Sequence, residues 1–129
     1  MKGYEDRIVL GLTEDVEVLY KKGKDVIHAR IDTGAETSSI DVKLVAELGL
    51  GPVTQTKIIK SANGEKLRPA IEVNIIIHGK QLRGLFTIAD RSHMRYRILI
   101  GQNVLKNGFL IDPTLHRPPK GEEEDIPSD

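Results

Sequence analysis

The stretch Ala29-Arg30-Ile31-Asp32-Thr33-Gly34-Ala35 decides how the fold is interpreted. Its first three residues belong to a run, residues 25–31, in which apolar and polar side chains alternate as in a half-buried strand. Asp32 therefore stands where a predicted strand stops. Gly34 permits a sharp turn and the close approach of another backbone, and Thr33 supplies a hydroxyl that can hydrogen-bond within the loop. Because Asp-Thr-Gly alone is also typical of an ordinary turn, the surrounding sequence has to decide between a turn and a site.

A second apolar segment far along the chain also ends at a glycine. Ile98-Leu99-Ile100-Gly101 has the pattern of a short buried strand, and such a segment can cross beneath the Asp32 loop. Two short helices are expected, one from Asp41 as N-cap to Leu48 and one over residues 102–107. Each is followed by a glycine that can end it.

Strands and hairpins fill most of the remaining sequence. Apolar residues occupy one face of a long run that ends before His78-Gly79, namely Ile71, Val73, Ile75 and Ile77. The dipeptide Asn63-Gly64 predicts a tight hairpin turn before that run, because both residues tolerate positive φ. The pattern therefore predicts a mostly β fold with one or two short helices.

Composition restricts the class of protein. The chain has 129 residues, 19 basic and 19 acidic side chains and no cysteine, which excludes disulfides, cysteine-ligated metals and a thiol nucleophile. Zero net charge argues against nucleic acid as a partner, and the absence of a long apolar run argues against a membrane, so a cytoplasmic protein is expected. Residues 1–116 are predicted to form one domain, and residues 117–129, proline-rich and then acidic, a flexible tail.

The sequence resembles the retropepsin-like aspartic proteases, the single-lobe relatives of pepsin, and most closely the prokaryotic family labelled as ATP-dependent zinc proteases. The matching residues form four blocks, which are 29–39, 61–69 with Gly64, Arg68 and Pro69, 90–101, and 109–113. Two positions depart from the family pattern: Gln102 stands where a basic residue commonly follows the glycine, and Arg97 where proline is expected.

The resemblance implies a single-lobe closed β-barrel and an aspartic endopeptidase with Asp32 as the catalytic carboxylate. Since the chain has one Asp-Thr-Gly, the pair of carboxylates requires Asp32 from each of two chains in a homodimer. The residues expected to support the active-site loop are Thr33, Gly34, Ala35, Leu99, Ile100 and Gly101.

The Asn63-Gly64 hairpin is the candidate flap over a peptide substrate, and an ordinary surface turn is the alternative interpretation. Flap and substrate-binding candidates are Ser61, Asn63, Gly64 and Arg68. Arg68 and the lysines near it would favour an acidic peptide if they face the cleft, although scattered surface charge is the favoured interpretation of the lysines. Some members of the resembled family are associated with enzymes that add glutamate tails, which makes trimming of such a tail a substrate hypothesis.

No cofactor and no metal site are expected, despite the family label. The four histidines show no metal-ligand spacing, and no glycine-rich loop has the pattern that binds ATP phosphates. Two other functions stay open: a non-catalytic peptide-binding module of the same fold, and a metallohydrolase. Loss of hydrolysis on replacing Asp32 separates the peptidase from the first, and sensitivity to chelators separates it from the second.

Overall fold

The structure, a computed structural model, describes residues 4–120. Within them the chain forms nine strands and two short helices. In chain order they are β1 (Ile8–Leu10), β2 (Thr13–Tyr20), β3 (Gly23–Ile31), β4 (Ser38–Asp41), α1 (Val42–Leu48), β5 (Gln55–Ser61), β6 (Gly64–Ile77), β7 (Lys80–Ala89), β8 (Ile98–Ile100), α2 (Gln102–Leu105) and β9 (Phe109–Ile111).

Six strands close into a barrel. They follow the order β2-β3-β8-β4-β7-β6, and β6 pairs back onto β2 through registers such as Val18 opposite Ile75. Most neighbours are antiparallel, but β3 runs parallel to β8 and β4 runs parallel to β7. The predicted closed β-barrel with two short helices is confirmed.

The barrel interior is filled by the alternating apolar residues that the sequence indicates. The four residues of the long run, Ile71, Val73, Ile75 and Ile77, are at most 2% exposed. Opposite walls contribute further buried side chains, among them Val16, Ala29, Ile40, Phe86 and Ile100. Period-two burial fixes the register of each strand, since a slip of one residue would turn the apolar set outward.

Strand β4 is not apparent in the sequence, because it begins within residues 36–39, which are all polar. All four of its residues are buried, because β4 lies between β8 and β7 in the ring. Asp41 occupies the N-cap position of α1 as expected, but its side chain makes no cap hydrogen bond. Its Oδ1 instead accepts the backbone N–H of Arg91 at 2.8 Å.

The two hairpin turns differ from each other in backbone conformation. At Asn63-Gly64 only Gly64 has positive φ, at 108°, because the two turn residues between the paired Ser61 and Gly64 are Ala62 and Asn63. The hairpin turn predicted around Asn63-Gly64 is therefore present, with Gly64 as the first residue of β6. The turn with two positive φ values lies at His78-Gly79, at 47° and 78°.

The first half of β6 extends beyond the barrel. It pairs with β7 only from Ala70 onward, so residues 64–69 pair with β5 alone. The result is a two-stranded projection, residues 55–69, which we call the β5–β6 hairpin. Two of its apolar side chains, the paired Ile58 and Leu67, are 57% and 71% exposed.

A separate parallel pair, β1 with β9, brings the two ends of the domain together. From the segment predicted as a tail, Arg117 hydrogen-bonds to the carboxylate of Glu14, and the Lys120 N–H donates to Asp15 Oδ2 at 2.8 Å. Residues 121–129 of that segment lie outside the described residues. Neither helix of residues 4–120 has the length and apolar sequence needed to span a membrane.

Candidate active site

Asp32 lies at the point where β3 leaves the barrel sheet. Its backbone N–H donates to Ile100 O at 2.8 Å, and its carboxylate is half-buried. Oδ1 accepts the N–H of Gly34 at 2.9 Å, and a Cβ at Gly34 would lie 3.2 Å from the same oxygen. A side chain at position 34 would therefore crowd the carboxylate of Asp32. Thr33 and Gly34 themselves are exposed.

Gly101 lies directly against the Asp32 loop. A Cβ there would lie 2.7 Å from Ala35 O and 2.9 Å from the carbonyl carbon of Thr37, which is closer than backbone atoms tolerate. Gln102, the departure from the family pattern, hydrogen-bonds to the loop twice. Its backbone N–H donates to Ala35 O at 2.8 Å, and its Nε2 donates to Thr33 O at 2.7 Å.

A buried polar network that sequence reasoning missed fixes the loop from the other side. Ser38 Oγ donates to Asn103 Oδ1 at 2.8 Å and accepts the Gly101 N–H at 2.9 Å. Asn103 also accepts the Ser38 N–H at 2.9 Å and donates to Leu85 O at 2.8 Å. One amide therefore joins α2, β4 and β7. A polar residue in an expected helix gave no signal of this role.

The predicted active-site loop residues lie together, whereas the predicted flap residues lie apart from them on the β5–β6 hairpin. Asp32, Thr33, Gly34 and Ala35 form one loop that contacts Ile100 and Gly101, and Leu99 is half-buried in β8. Ser61, Asn63 and Gly64 lie at the tip of the β5–β6 hairpin, where Ser61 Oγ donates to Gly64 O at 3.3 Å and accepts the Asn63 N–H at 3.3 Å. Arg68, half-buried, lies nearer the barrel on the same hairpin.

A cleft of about 550 Å³ adjoins the Asp32 loop. It is lined by Arg30 and Ile31, which immediately precede Asp32, by the loop between β7 and β8, and by the segment after β9. Basic side chains in its wall are Arg30, Arg91, Arg95 and His116, and apolar ones include Leu12, Met94 and Tyr96. The cleft thus combines positive charge with apolar surface.

Arg91 is the buried basic residue of this cleft, and sequence reasoning missed it. Burial holds the pKa of its guanidinium below the ordinary value, and the negative charge of Asp41 opposes that lowering. The positive charges of Arg68 and Arg30 lower the pKa further, whereas the charge of Asp32 raises it. Arg91 is therefore within electrostatic range of both the Asp32 carboxylate and the base of the β5–β6 hairpin.

Two of the four histidines hydrogen-bond to residues outside the Asp32 loop. His28 hydrogen-bonds to Asp15 at 2.7 Å and to Thr13 at 3.0 Å, and His78 hydrogen-bonds to the buried Glu14 at 2.8 Å. Glu14 also accepts the Gly11 N–H at 2.7 Å. Among residues 4–120 no three histidine, aspartate or glutamate side chains are grouped so that they could hold a metal ion.

A family model described as retropepsin-like aspartic endopeptidase RimB, of the RimB-like family, matches residues 49–120. The matched range is more than half of the chain and begins after the Asp32 loop. Two curated relatives, both named probable alpha-L-glutamate ligase, are 27% identical (Shewanella pealeana) and 28% identical (Shewanella halifaxensis). Each match covers 71% of this chain and 26% of the relative, so the chain spans about a quarter of their length.

Solved structures share the fold at low sequence identity. A Legionella pneumophila protein of unknown function has a TM-score of 0.60 at 17% identity, covering 83% of this chain and 94% of its own. EIAV protease in complex with an inhibitor has a TM-score of 0.58 at 20% identity, covering 83% and 92%. Simian foamy virus (mac) protease has a TM-score of 0.53 at 19% identity, covering 73% and 91%.

Proposed function

Since this chain belongs to the RimB-like family of retropepsin-like aspartic endopeptidases, we propose that it hydrolyses peptide bonds with a pair of Asp32 carboxylates from two identical chains. One observation carries the proposal. Asp32 is a half-buried carboxylate on a loop that β8, α2 and Gly101 hold in place, and it stands beside a cleft of peptide-binding size.

The chemistry needs two carboxylates. Two such groups about 3 Å apart cannot both ionise, so they share a proton. The ionised carboxylate takes a proton from a water molecule, which attacks the scissile carbonyl carbon, while the protonated one donates to the carbonyl oxygen. The proton taken from water then passes from that carboxyl group to the leaving amine as the C–N bond breaks.

A homodimer supplies the second carboxylate, because the chain holds a single Asp-Thr-Gly. In a two-fold dimer the same loop faces its own copy, so residues near the axis must be accessible in the single chain. Thr33 and Gly34, next to Asp32, are exposed and fit that requirement.

The β5–β6 hairpin serves as the flap in this proposal. It projects beyond the barrel, and Arg68 at its base interacts electrostatically with Arg91 of the cleft. The exposed Ile58 and Leu67 give it apolar surface that a bound peptide can cover. Closure over the substrate would exclude water from the pair of carboxylates.

We propose glutamate-rich peptides as the substrate class. Arg91 interacts electrostatically with Arg30, Arg68 and Asp32, and this surplus of positive charge favours an acidic peptide. The name of the curated relatives, probable alpha-L-glutamate ligase, also concerns glutamate, although a ligase forms the bond that a peptidase would hydrolyse. A hydrolase of this kind would cut what such a ligase extends.

The test compares Asp32→Asn with Asp25→Asn as a matched control. Asp25 is exposed near the far end of β3, and its Oδ1 accepts the Tyr20 hydroxyl at 3.0 Å. With a glutamate-rich peptide as substrate, we expect Asp32→Asn to lower kcat by about a thousandfold or more. Asp25→Asn should keep the wild-type rate, and a chelator should have no effect.

Three outcomes contradict the proposal. Unchanged hydrolysis by Asp32→Asn removes the carboxylate pair from the mechanism. Loss of hydrolysis with a chelator, together with indifference to hydroxyl-containing transition-state mimics, indicates a metallohydrolase. Binding of the peptide without any cleavage by the wild-type dimer indicates a binding module.

A further inference from the structure

Arg91 is buried without a counter-charge in contact. The residue is 9% exposed, and its Nε donates to Tyr96 O at 2.9 Å. A guanidinium has five N–H donors, yet among residues 4–120 the Arg91 side chain makes one hydrogen bond, from Nε, and no ion pair. Asp41 is the carboxylate with the largest electrostatic effect on Arg91, but it accepts the Arg91 backbone N–H rather than a guanidinium N–H.

Burying a charge without a partner is costly, so such a group is normally paired. Here the cost is increased by the positive charges of Arg30 and Arg68 nearby. The arginine is nevertheless held firmly, because its backbone N–H and its Nε are both hydrogen-bonded. Arg91 lines the cleft, and its Nη groups are not among the fully buried unpartnered atoms of residues 4–120. A fixed guanidinium with two accessible Nη groups can bind a planar anion with two parallel hydrogen bonds.

The cleft around Arg91 has the shape and polarity for a carboxylate on an aliphatic stem. Ile31, Met94 and Tyr96 supply apolar surface beside the guanidinium, and the residues that precede Asp32 form the adjacent wall. A carboxylate bound there would stand next to the loop that carries Asp32.

We propose that Arg91 forms a carboxylate-binding subsite that selects an acidic group at one position of the bound peptide. The inference rests on the proposed function for the identity of the ligand as a peptide. A glutamate side chain and a free C-terminus offer the same carboxylate chemistry, and the test separates the two. Arg91 would thereby determine which peptide bond of the substrate is cut, whereas the overall positive charge of the cleft would only attract acidic peptides.

The experiment measures kcat/KM for a series of glutamate-rich peptides in which each Glu is replaced singly by Gln, with free and amidated C-termini. At one position the wild-type protein should prefer Glu over Gln by about tenfold or more, as a charge-assisted bidentate contact predicts. Arg91→Met should reduce that preference to within about twofold while leaving the weaker preferences at other positions. If amidation rather than a Gln substitution removes the preference, the carboxylate is the C-terminus.

Arg95→Met is the matched control, since it removes one positive charge from the same cleft at an exposed position. It should keep the preference at the Arg91-dependent position. If Arg91→Met does not fold, Arg91→Lys replaces it: the charge stays but the planar fork is lost, and the preference should fall severalfold. The subsite is refuted if the Arg91 variants keep the full preference for Glu over Gln, whether kcat/KM is unchanged or falls equally for both peptides.

A binding measurement separates this inference from the proposed function. The same fluorescent peptides are titrated into Asp32→Asn and into Asp32→Asn with Arg91→Met, so no hydrolysis is needed. An Arg91-dependent Glu preference in binding, with no cleavage by the wild type, supports the subsite and refutes the peptidase. Cleavage by the wild type, with no Arg91-dependent preference in either measurement, supports the peptidase and refutes the subsite.

Discussion

The Asp32 loop and the β5–β6 hairpin differ in how many parts of the molecule hold them. The loop is hydrogen-bonded to β8 through Ile100 and to α2 through Gln102, and it packs against Gly101. The hairpin projection has only its own ladder and a serine at its tip, and it exposes apolar side chains.

This difference matches two different requirements of a peptidase. A catalytic carboxylate must stay in one geometry, which demands support from several elements. A cover must open and close, and segments with few tertiary contacts open at low free-energy cost. Substitutions in the loop should therefore reduce stability and activity together, whereas substitutions in the hairpin should separate them.

The largest effect is expected at Gly101. Gly101→Ala places a Cβ 2.7 Å from Ala35 O, so the backbone of the Asp32 loop has to move. We expect the free energy of unfolding to fall by about 3 kcal/mol and hydrolysis to be lost. Gly64→Ala is the matched hairpin change: it meets no atom within 4 Å but has a φ of +108°, so backbone strain alone should cost about 1–2 kcal/mol. Denaturant unfolding measures both, and equal losses would contradict the comparison.

A smaller effect is expected from the network behind the loop. Asn103→Ala removes the acceptor of the Ser38 N–H and hydroxyl and the donor to Leu85 O, which leaves buried groups unpaired. The free energy of unfolding should fall by about 2–3 kcal/mol, and kcat should fall with it. Asn74→Ala, at an exposed position of β6, should change neither by a measurable amount. A fully active and stable Asn103→Ala would show that the network does not support the loop.

The smallest effect on stability is expected in the hairpin. Leu67 is 71% exposed, so Leu67→Ser should change the free energy of unfolding by less than about 0.5 kcal/mol. If the hairpin covers the substrate, KM should nevertheless rise by about fivefold, which corresponds to about 1 kcal/mol of lost apolar contact. Val26→Ser, another exposed apolar residue but on β3, should leave KM unchanged. An unchanged KM for Leu67→Ser would argue for an ordinary surface turn.

Much of the fold could be predicted from local sequence pattern. The alternation in the long β6 run, the glycine after α1 and the apolar strand before Gly101 each depend on neighbours a few residues away. The closure of the strands into a barrel was expected from the resemblance of residues around Asp32 and Gly101 to a known family, rather than from alternation alone.

The remaining features depend on partners that are distant in sequence. Asn103 and Ser38 are 65 positions apart, and each alone is an unremarkable polar residue. Strand β4 is buried because β8 and β7 enclose it, and its sequence, with Ile40 as the one apolar residue among four, gives little indication of this. Arg91 is identical in sequence terms to exposed arginines such as Arg95, and only the closed barrel shows which of the two is buried.

The central claim, a catalytic pair built from two copies of Asp32, is tested most directly by mixing wild-type and Asp32→Asn chains. After subunit exchange at constant total concentration, activity should fall as the square of the wild-type fraction, because mixed dimers hold only one native carboxylate. An equal mixture should retain about a quarter of the activity. Activity proportional to the wild-type fraction, about half in an equal mixture, would show that each chain works alone and would contradict the account.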